Sequence, residues 1–454
     1  MAALAQADPA IVTKIVEEGK NNSKFMENLD FLATRIGPRL TGSPKLDRAY
    51  VWAQKKFKEF GCKNVHLEEW GTFPVGFDRG KKQVGHMIAP DKVEFVYTTP
   101  SWTPGTNGSV KGPAIIEPNN MEEFEKVKGQ LKNAWLIVKG RGLNRRSEEA
   151  MALQKAIREA GAAGRISGSS NDLVITFGAW NIKNEDLPKD TVVIVRKQDM
   201  DAITSRMEAG QKVELEFNIE QKFVAGPIKC YNVIAEIPGT EKPDEVVIVS
   251  GHLDSWDGPG SQGAQDNGTG SMVAMESARI LNKVGAKPKR TIRFILWSGE
   301  EQGLFGSQAY VKAHKDEMSK ISCVFVDDGG TNYEGGLTGN EAMKPLLEMA
   351  IRPAQDAFPD MPMSIGTSPR IPRGGGSDHA SFNQVGVPGF YWRPTGKSDY
   401  NHVHHTQYDR MDTVVKEYRI QASTNSAAAS FIVACAPMMM PRDIPTTPPA
   451  PSLR

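Results

Sequence analysis

The sequence is short of the features that would place it in several large classes of protein. Only four cysteines occur in 454 residues, Cys62, Cys230, Cys323 and Cys435, and no two form a C-x-x-C pair. That spacing supports neither a disulfide framework nor a thiolate metal site. Neither sign of charge is in excess: 55 Lys and Arg face 54 Asp and Glu, a formal net charge of +1. This balance gives no electrostatic reason to bind nucleic acid or an anionic membrane. No apolar run approaches the roughly 18–20 residues that a bilayer-spanning helix needs. No internal repeat is evident. The opening MAALAQADPA lacks the basic and apolar regions of an intact signal peptide. Ala-Gln-Ala before Asp8 does resemble the small-x-small tail of an export cleavage site, so export to the periplasm or outside the cell is expected.

What is present is ordinary globular material. Hydrophobic residues make up 39% and charged residues 24%, and a chain of this length is expected to divide into more than one domain. Helical spacing of apolar residues runs from about Pro9 to Phe60, interrupted by the Gly/Pro-punctuated loop IGPRLTGSP. NVHLEEWGTF then reads as a strand. Near Thr99 the composition shifts to PSWTPGTNGSVKGPA, which suits a crossing between domains. From about Gly108 to Gln221, AWLIVKG, TVVIVRK and VELEFNIEQKF read as strands alternating with two helices, a compact α/β insertion.

After GPIKCYNVIAEIPG come three nearly continuous apolar runs, EVVIVSGH, TIRFILWSGEE and ISCVFVDDGG, with the helix GSMVAMESARILNKVG after the first. Such runs are expected in a parallel sheet buried on both faces. The expected boundaries are therefore 1–105 and 223–440 for the main domain, 106–222 for the insertion, and 441–454 for a Pro-rich tail. The fold class is α/β, a mixed and largely parallel sheet flanked by helices.

Ligands of such sheets sit beyond the carboxyl ends of the strands. The polar residues that follow the three runs are His252 with Asp254, Glu300 with Glu301, and Asp327 with Asp328. His252 and Asp254, at i and i+2, project to the same side of an extended strand end, where the carboxylate can orient the imidazole. Asp266 ends the Gly-rich loop that follows, either as a ligand or as a helix cap. Of Glu300 and Glu301, one can ligate a metal while the other faces water as a general base. SDYNHVHHTQYDRMDT adds His402, His404 and His405, three of the eight histidines. Each feature has a plainer reading as an exposed turn or loop. Together they supply imidazoles and carboxylates from four separated segments, the donor set of a two-metal hydrolytic site.

GHLDSW, GAQDNGTG, WSGEEQGLFGS, VDDGG, GGGSDHASFNQVGVPG and DYNHVHHTQYDRMDT resemble, in order, the co-catalytic zinc aminopeptidase and glutamate carboxypeptidase family over about 230–440. IGPRLTGSP is further similar to the branch containing carboxypeptidase Q and related bacterial peptidases, and the insertion resembles a protease-associated domain. The resemblance implies the zinc exopeptidase fold, a peptide substrate and two Zn2+ per chain. It implies His252 and Asp328 on one zinc, Glu301 and His405 on the other, and Asp266 between them. Glu300 becomes the general base and Asp254 the residue that orients His252. Asp328 is preferred to Asp327 because Asp-Gly-Gly-Thr resembles that branch's Asp-Ala-Gly-Thr, and His405 to its neighbours because it precedes Thr406. Tyr400, Asp378 and His379 match positions beside the family's site and are candidate substrate-binding residues. The resemblance also makes a homodimer an admissible state.

It leaves open whether the amino or carboxyl end of a peptide is recognised, with Arg373, Arg393 and Lys397 able to receive a carboxylate. Two rivals share the scaffold: a glutaminyl-cyclase-like transferase and a non-catalytic binding protein resembling the transferrin receptor.

Overall fold

The run EVVIVSGH forms the strand Lys242–His252, which sits centrally in a six-stranded sheet. It pairs in parallel with Arg290–Trp297 on one side and Ile321–Val326 on the other, and Ile321–Val326 pairs in parallel with Gly389–Tyr391. Beyond Arg290–Trp297 the sheet continues antiparallel through Ile228–Ile237 to Lys63–Phe73. The sheet is mixed, with its parallel strands grouped at one side. The protein is described from a computed structural model that covers residues 7–139 and 147–442. Residues 1–6 and 443–454, which include most of the Ala-Gln-Ala stretch and of the Pro-rich tail, lie outside the described residues.

Alternate residues of each central strand face opposite layers, as strand geometry requires. Val247, Val249, Phe294, Leu296 and Phe325 pack in one core with the helices Pro9–Asn21, Pro44–Glu59, Thr269–Lys283, Lys344–Ala357 and Lys416–Cys435. Ile248, Ile295, Trp297, Val324 and Val326 pack on the opposite face with Tyr310, Met318 and Phe382. Burial on both faces explains why these strands read as continuous apolar runs rather than alternating ones. Lys416–Cys435 is buried on nearly every side from Arg419 onward, so its Ala- and Ser-rich sequence carries little amphipathic signal. The four cysteines are buried free thiols.

A second, eight-stranded sheet is formed by strands between Gly76 and Val224. Its strands include Val110–Ile116, Trp135–Ile137, Gly164–Gly168, Val192–Val195 and Glu214–Val224. The pairing begins earlier than the composition shift suggests, because Gly76–Ala89 runs antiparallel to Glu214–Val224. The shift near Thr99 marks a turn within this unit's pairing pattern: Tyr97–Thr98 pairs with Val192–Val195. The unit has its own core of Trp135, Ile166, Val193, Val195, Leu215 and Phe217.

Candidate metal centre

The parallel strands end on one edge of the main sheet, and the candidate residues lie just past those ends. His252 closes the strand Lys242–His252 and is opposite Trp297 in register. Glu300 and Glu301 follow Trp297 after Ser298 and Gly299, and Asp327 and Asp328 follow Val326 directly. Asp266 comes from the loop before the helix Thr269–Lys283, where Gly263 takes φ +61. A side chain at 263 would meet Ser255 Oγ at 2.3 Å, so both the conformation and the space call for glycine.

Two groups of donors share Asp266. His252 Nε2 lies 3.3 Å from Asp328 Oδ1 and 3.4 Å from Asp266 Oδ1. On the other side, His405 Nε2 lies 3.0 Å from Asp266 Oδ2 and 3.0 Å from Glu301 Oε2. His404 Nε2 is 3.6 Å from Asp266 Oδ2 and its ring stacks on His405 at 3.8 Å, so it also falls within reach. His402 turns away and stacks on Tyr408. The paired aspartates separate cleanly: Asp327 receives Arg419 Nη1 at 3.1 Å, leaving Asp328 to face His252.

His252 Nδ1 lies 3.0 Å from the backbone carbonyl of Asp254 and 3.6 Å from its carboxylate. A carbonyl only accepts, so Nδ1–H donates there and Nε2 presents its lone pair to the cluster. The Asp254 carboxylate meets other partners, the backbone N–H groups of Glu300 and Glu301 at 3.4 and 3.3 Å and the Thr41 hydroxyl at 3.1 Å. Asp254 thus meets His252 through its main chain and the Glu300–Glu301 turn through its side chain.

The electrostatics are those of acids crowded without enough positive charge. Burial, and then the Asp266 carboxylate, pushes Glu301 up to about 7. Burial also raises Glu300 well above the usual carboxylate range; His252 opposes this, while Asp328 and Asp378 add to it. Against the effect of burial, His252 and His405 hold Asp266 well below that range. His405 is itself driven up to about 11, with burial opposing and Glu301 and Asp266 raising it. Asp266 Oδ2 is buried, with the His405 and His404 imidazoles as its charge partners at 3.0 and 3.6 Å. Buried Asp266, Glu301 and Asp328, with Glu300 beside them, face the imidazoles of His252, His404 and His405, and such a set fits divalent cations far better than it fits itself.

A cavity of about 360 Å³ lies over the cluster. Glu300, Glu301, Asp266, Asp328, His404 and His405 form part of its wall, and Tyr400 lines it too. Asp378 and His379 are absent from that lining: Asp378 is fully buried, and the His379 ring packs 5.4 Å from Tyr391. They stand behind the cavity rather than in it. Of the three cations near the last motifs, none lines it, and Arg393 Nη2 donates to the carbonyls of Gly335 and Ser364.

Sequence reasoning passed over several residues. Arg39, in IGPRLTGSP, is fully buried, and its guanidinium donates to the carbonyls of Leu253, Gly37 and Gly263 at 2.6, 3.0 and 2.7 Å. It therefore ties together both ends of the loop between His252 and Asp266, while Thr41 reaches Asp254. Asp409 accepts from the backbone N–H of Gln265 at 2.6 Å and braces Asp266 from behind. The motif IGPRLTGSP was visible, but a turn rich in Gly and Pro gives no signal that its arginine is buried.

Acids and imidazoles gathered beyond parallel strand ends, under a peptide-sized cavity, define a metal-dependent hydrolase. Residues 232–430 match Peptidase family M28, and the chain is a metallopeptidase. It is 28% identical over 435 residues to carboxypeptidase Q of Bos taurus, covering 93% of this chain and 88% of that one. It is 31% identical over 245 residues to aminopeptidase YwaD of Bacillus subtilis (strain 168), spanning 53% and 50% of the two chains. Its fold is similar to a Peptidase M28 precursor from Shewanella amazonensis SB2B, with a TM-score of 0.67, 24% identity, and 97% and 99% of the chains covered. It is also similar to BSAP, a zinc aminopeptidase from Bacillus subtilis, with a TM-score of 0.56, 21% identity, and 89% and 93% covered.

Proposed function

We propose that this chain is an exopeptidase that removes terminal residues from peptides or splits dipeptides, using two zinc ions. The observation that carries this reading is the placing of Asp266 between the His252–Asp328 pair and the His405–Glu301 pair, with Glu300 in the same cavity. His252, Asp328 and Asp266 would hold one ion, and Glu301, His405 and Asp266 the other. Nitrogen and carboxylate donors in this ratio suit zinc. When bound, the ions supply Lewis acidity to the scissile carbonyl and lower the pKa of water between them.

The chain's own residues do the rest. Glu300 Oε2 lies 3.8 Å from His252 Nε2 and lines the cavity, so it stands beside the cluster as a base. From that position its carboxylate can accept a proton from the attacking water and return it to the leaving amine. Asp254 fixes the Glu300 backbone, and Tyr400 lines the cavity where the tetrahedral carbon forms. No Lys or Arg lines this cavity among the described residues, whereas carboxylates do. That favours receipt of a free α-amine, as in an aminopeptidase or dipeptidase, over capture of a terminal carboxylate.

The decisive measurement is Glu300→Gln. We expect kcat to fall by about 10²–10⁴-fold with zinc content unchanged by metal analysis. Near-normal turnover in the zinc-loaded variant rules out Glu300 as the base. Free dipeptides, N-blocked peptides and aminoacyl-nitroanilides, each assayed with and without chelator, test the rest. Cleavage of N-blocked substrates alone defeats the free-amine reading.

The chain also reads as an exported protein, on the Ala-Gln-Ala stretch before Asp8. Fractionation of the cells that make it, with the protein found only in the cytoplasm, would overturn this.

A further inference from the structure

The inserted unit gives no acid and no imidazole to the cluster, yet one of its segments, residues 172–180, reaches it. Thr176 N donates to the His405 carbonyl at 2.8 Å, and Ile175 forms a β-bridge with Thr406. Gln407 clasps the same segment twice, accepting from Val174 N at 2.9 Å and donating to the Asp172 carbonyl at 3.0 Å. Phe177 O accepts from Ser101 N at 2.8 Å. At Gly178 even a Cβ would stand 3.0 Å from the Trp256 ring. This segment is tied to the chain that carries the last ligand, and two residues further on is Trp180.

Trp180 is 67% exposed and lines the cavity over the cluster. A single exposed apolar residue needs no explanation, but this one has company. Ile175 and Phe177 of the same segment are also exposed, as is Tyr408 on the loop it grips. Leu304 lines the cavity as well, and it holds a left-handed backbone at φ +61. That conformation is costly for leucine and is retained mainly where function or packing requires it. The remaining lining consists of glycines, tyrosines and the cluster's own acids and imidazoles, with no Lys or Arg among the described residues. An acidic substrate side chain would face carboxylates and find no side-chain counter-ion. An apolar one would cover Trp180 and Leu304. The volume of about 360 Å³ is at the small end for ligand sites and holds a residue or two.

We propose that Trp180, carried into the active site by the inserted unit, forms with Leu304 an apolar subsite for the side chain of the residue whose carbonyl is attacked. The inserted unit is then a specificity element, and the substrates are peptides with an apolar residue at that position. This rests on the peptidase reading above.

The test uses the zinc-loaded full chain and dipeptides X-Ala with X as Leu, Phe, Gly or Asp. In a dipeptide the first residue always supplies the attacked carbonyl, whichever terminus is recognised. Leu-Ala and Phe-Ala should exceed Gly-Ala and Asp-Ala in kcat/KM by about tenfold or more, the scale of burying one apolar side chain. Trp180→Ala should cut the Leu-to-Gly ratio by about tenfold, and Trp180→Phe should keep most of it. A ratio that Trp180→Ala does not move, an equal loss on Leu-Ala and Gly-Ala, or Asp-Ala cleaved as well as Leu-Ala each overturns the proposal. If the wild-type chain cleaves none of these dipeptides and none of the nitroanilides or N-blocked peptides above, the exopeptidase reading fails. Calorimetric binding then decides the subsite alone: leucine binding tighter than aspartate, and lost in Trp180→Ala, supports it, and equal binding overturns it.

Discussion

The two halves of the candidate metal centre are built differently. His252 and Asp328 follow adjacent parallel strands, their side chains are 1% and 9% exposed, and the His252 ring is fixed by a main-chain carbonyl. His405 stands on a loop, is 29% exposed, and holds a left-handed backbone at φ +54. Histidine tolerates that region at a cost of order 1–3 kcal/mol, sustained only where the surroundings impose it. Besides Trp256, His404, Asp266 and Glu301, the 172–180 segment holds this turn, Thr176 donating to the His405 carbonyl and Ile175 bridging Thr406. The inner half therefore inherits its geometry from the sheet. The outer half depends on a loop and on a unit with a separate core, and it should yield first.

The largest effects should come from the ligands themselves. His252→Ala and His405→Ala should each reduce activity by at least about 10³-fold, as loss of an interaction at the reacting centre does. Metal analysis distinguishes them. His405→Ala should retain close to one zinc per chain with a small change in Tm. His252→Ala leaves buried carboxylates around an empty position and should lower both zinc content and Tm more. Equal losses in both variants would erase the asymmetry of the two halves. Chelator titration of the unmodified chain sharpens the same comparison: metal release in two phases is expected, with His405→Ala lacking the weaker one.

Arg39 acts on both halves, because Leu253 and Gly263 flank the loop joining His252 to Asp266. Arg39→Lys keeps the charge but cannot reach three carbonyls at once. Each carbonyl left buried and unpaired costs about 1–3 kcal/mol. Zinc affinity in both phases should weaken about 10–100-fold, the range for outer-shell partners of a metal site. A shift in one phase only would show that Arg39 serves a single ion.

The inner half was also the more legible in sequence. Buried parallel strands announce themselves as apolar runs, and the polar residues that end them stand out because they break the run. That placed His252, Glu300, Glu301 and the 327–328 pair at one sheet edge, where the structure also has them. The choice of Asp328 over Asp327 needed a motif, since nothing local reveals that Arg419, far along the chain, engages Asp327. His405 likewise could not be told from His402 and His404 by spacing, because a loop has no period that aims its side chains. Arg39 and Trp180 were illegible for a common reason. Their roles are set by tertiary contacts to carbonyls and to a cavity, and neither leaves a mark on residue type or periodicity. The pairing of Gly76–Ala89 into the second sheet was hidden by Gly/Pro-rich composition near Thr99, which resembles a linker although flanking strands pair across it.

The smallest expected effect probes the outer half from the side of the inserted unit. Gln407 touches no donor atom of the cluster, but its side chain joins Asp172 and Val174 to the segment that follows His405. Gln407→Ala removes both hydrogen bonds and leaves Val174 N buried without its acceptor, while the main-chain bond from Thr176 to His405 remains. With one clasp gone and another kept, the left-handed turn at His405 should be held less firmly rather than lost. The weaker chelation phase should move by several-fold, an order of magnitude at most, with the tighter phase in place. If both phases shift together, the inserted unit supports the whole fold rather than one metal position. If neither moves, the sheet side alone determines where His405 stands, and the dependence of the outer half on the inserted unit is disproved.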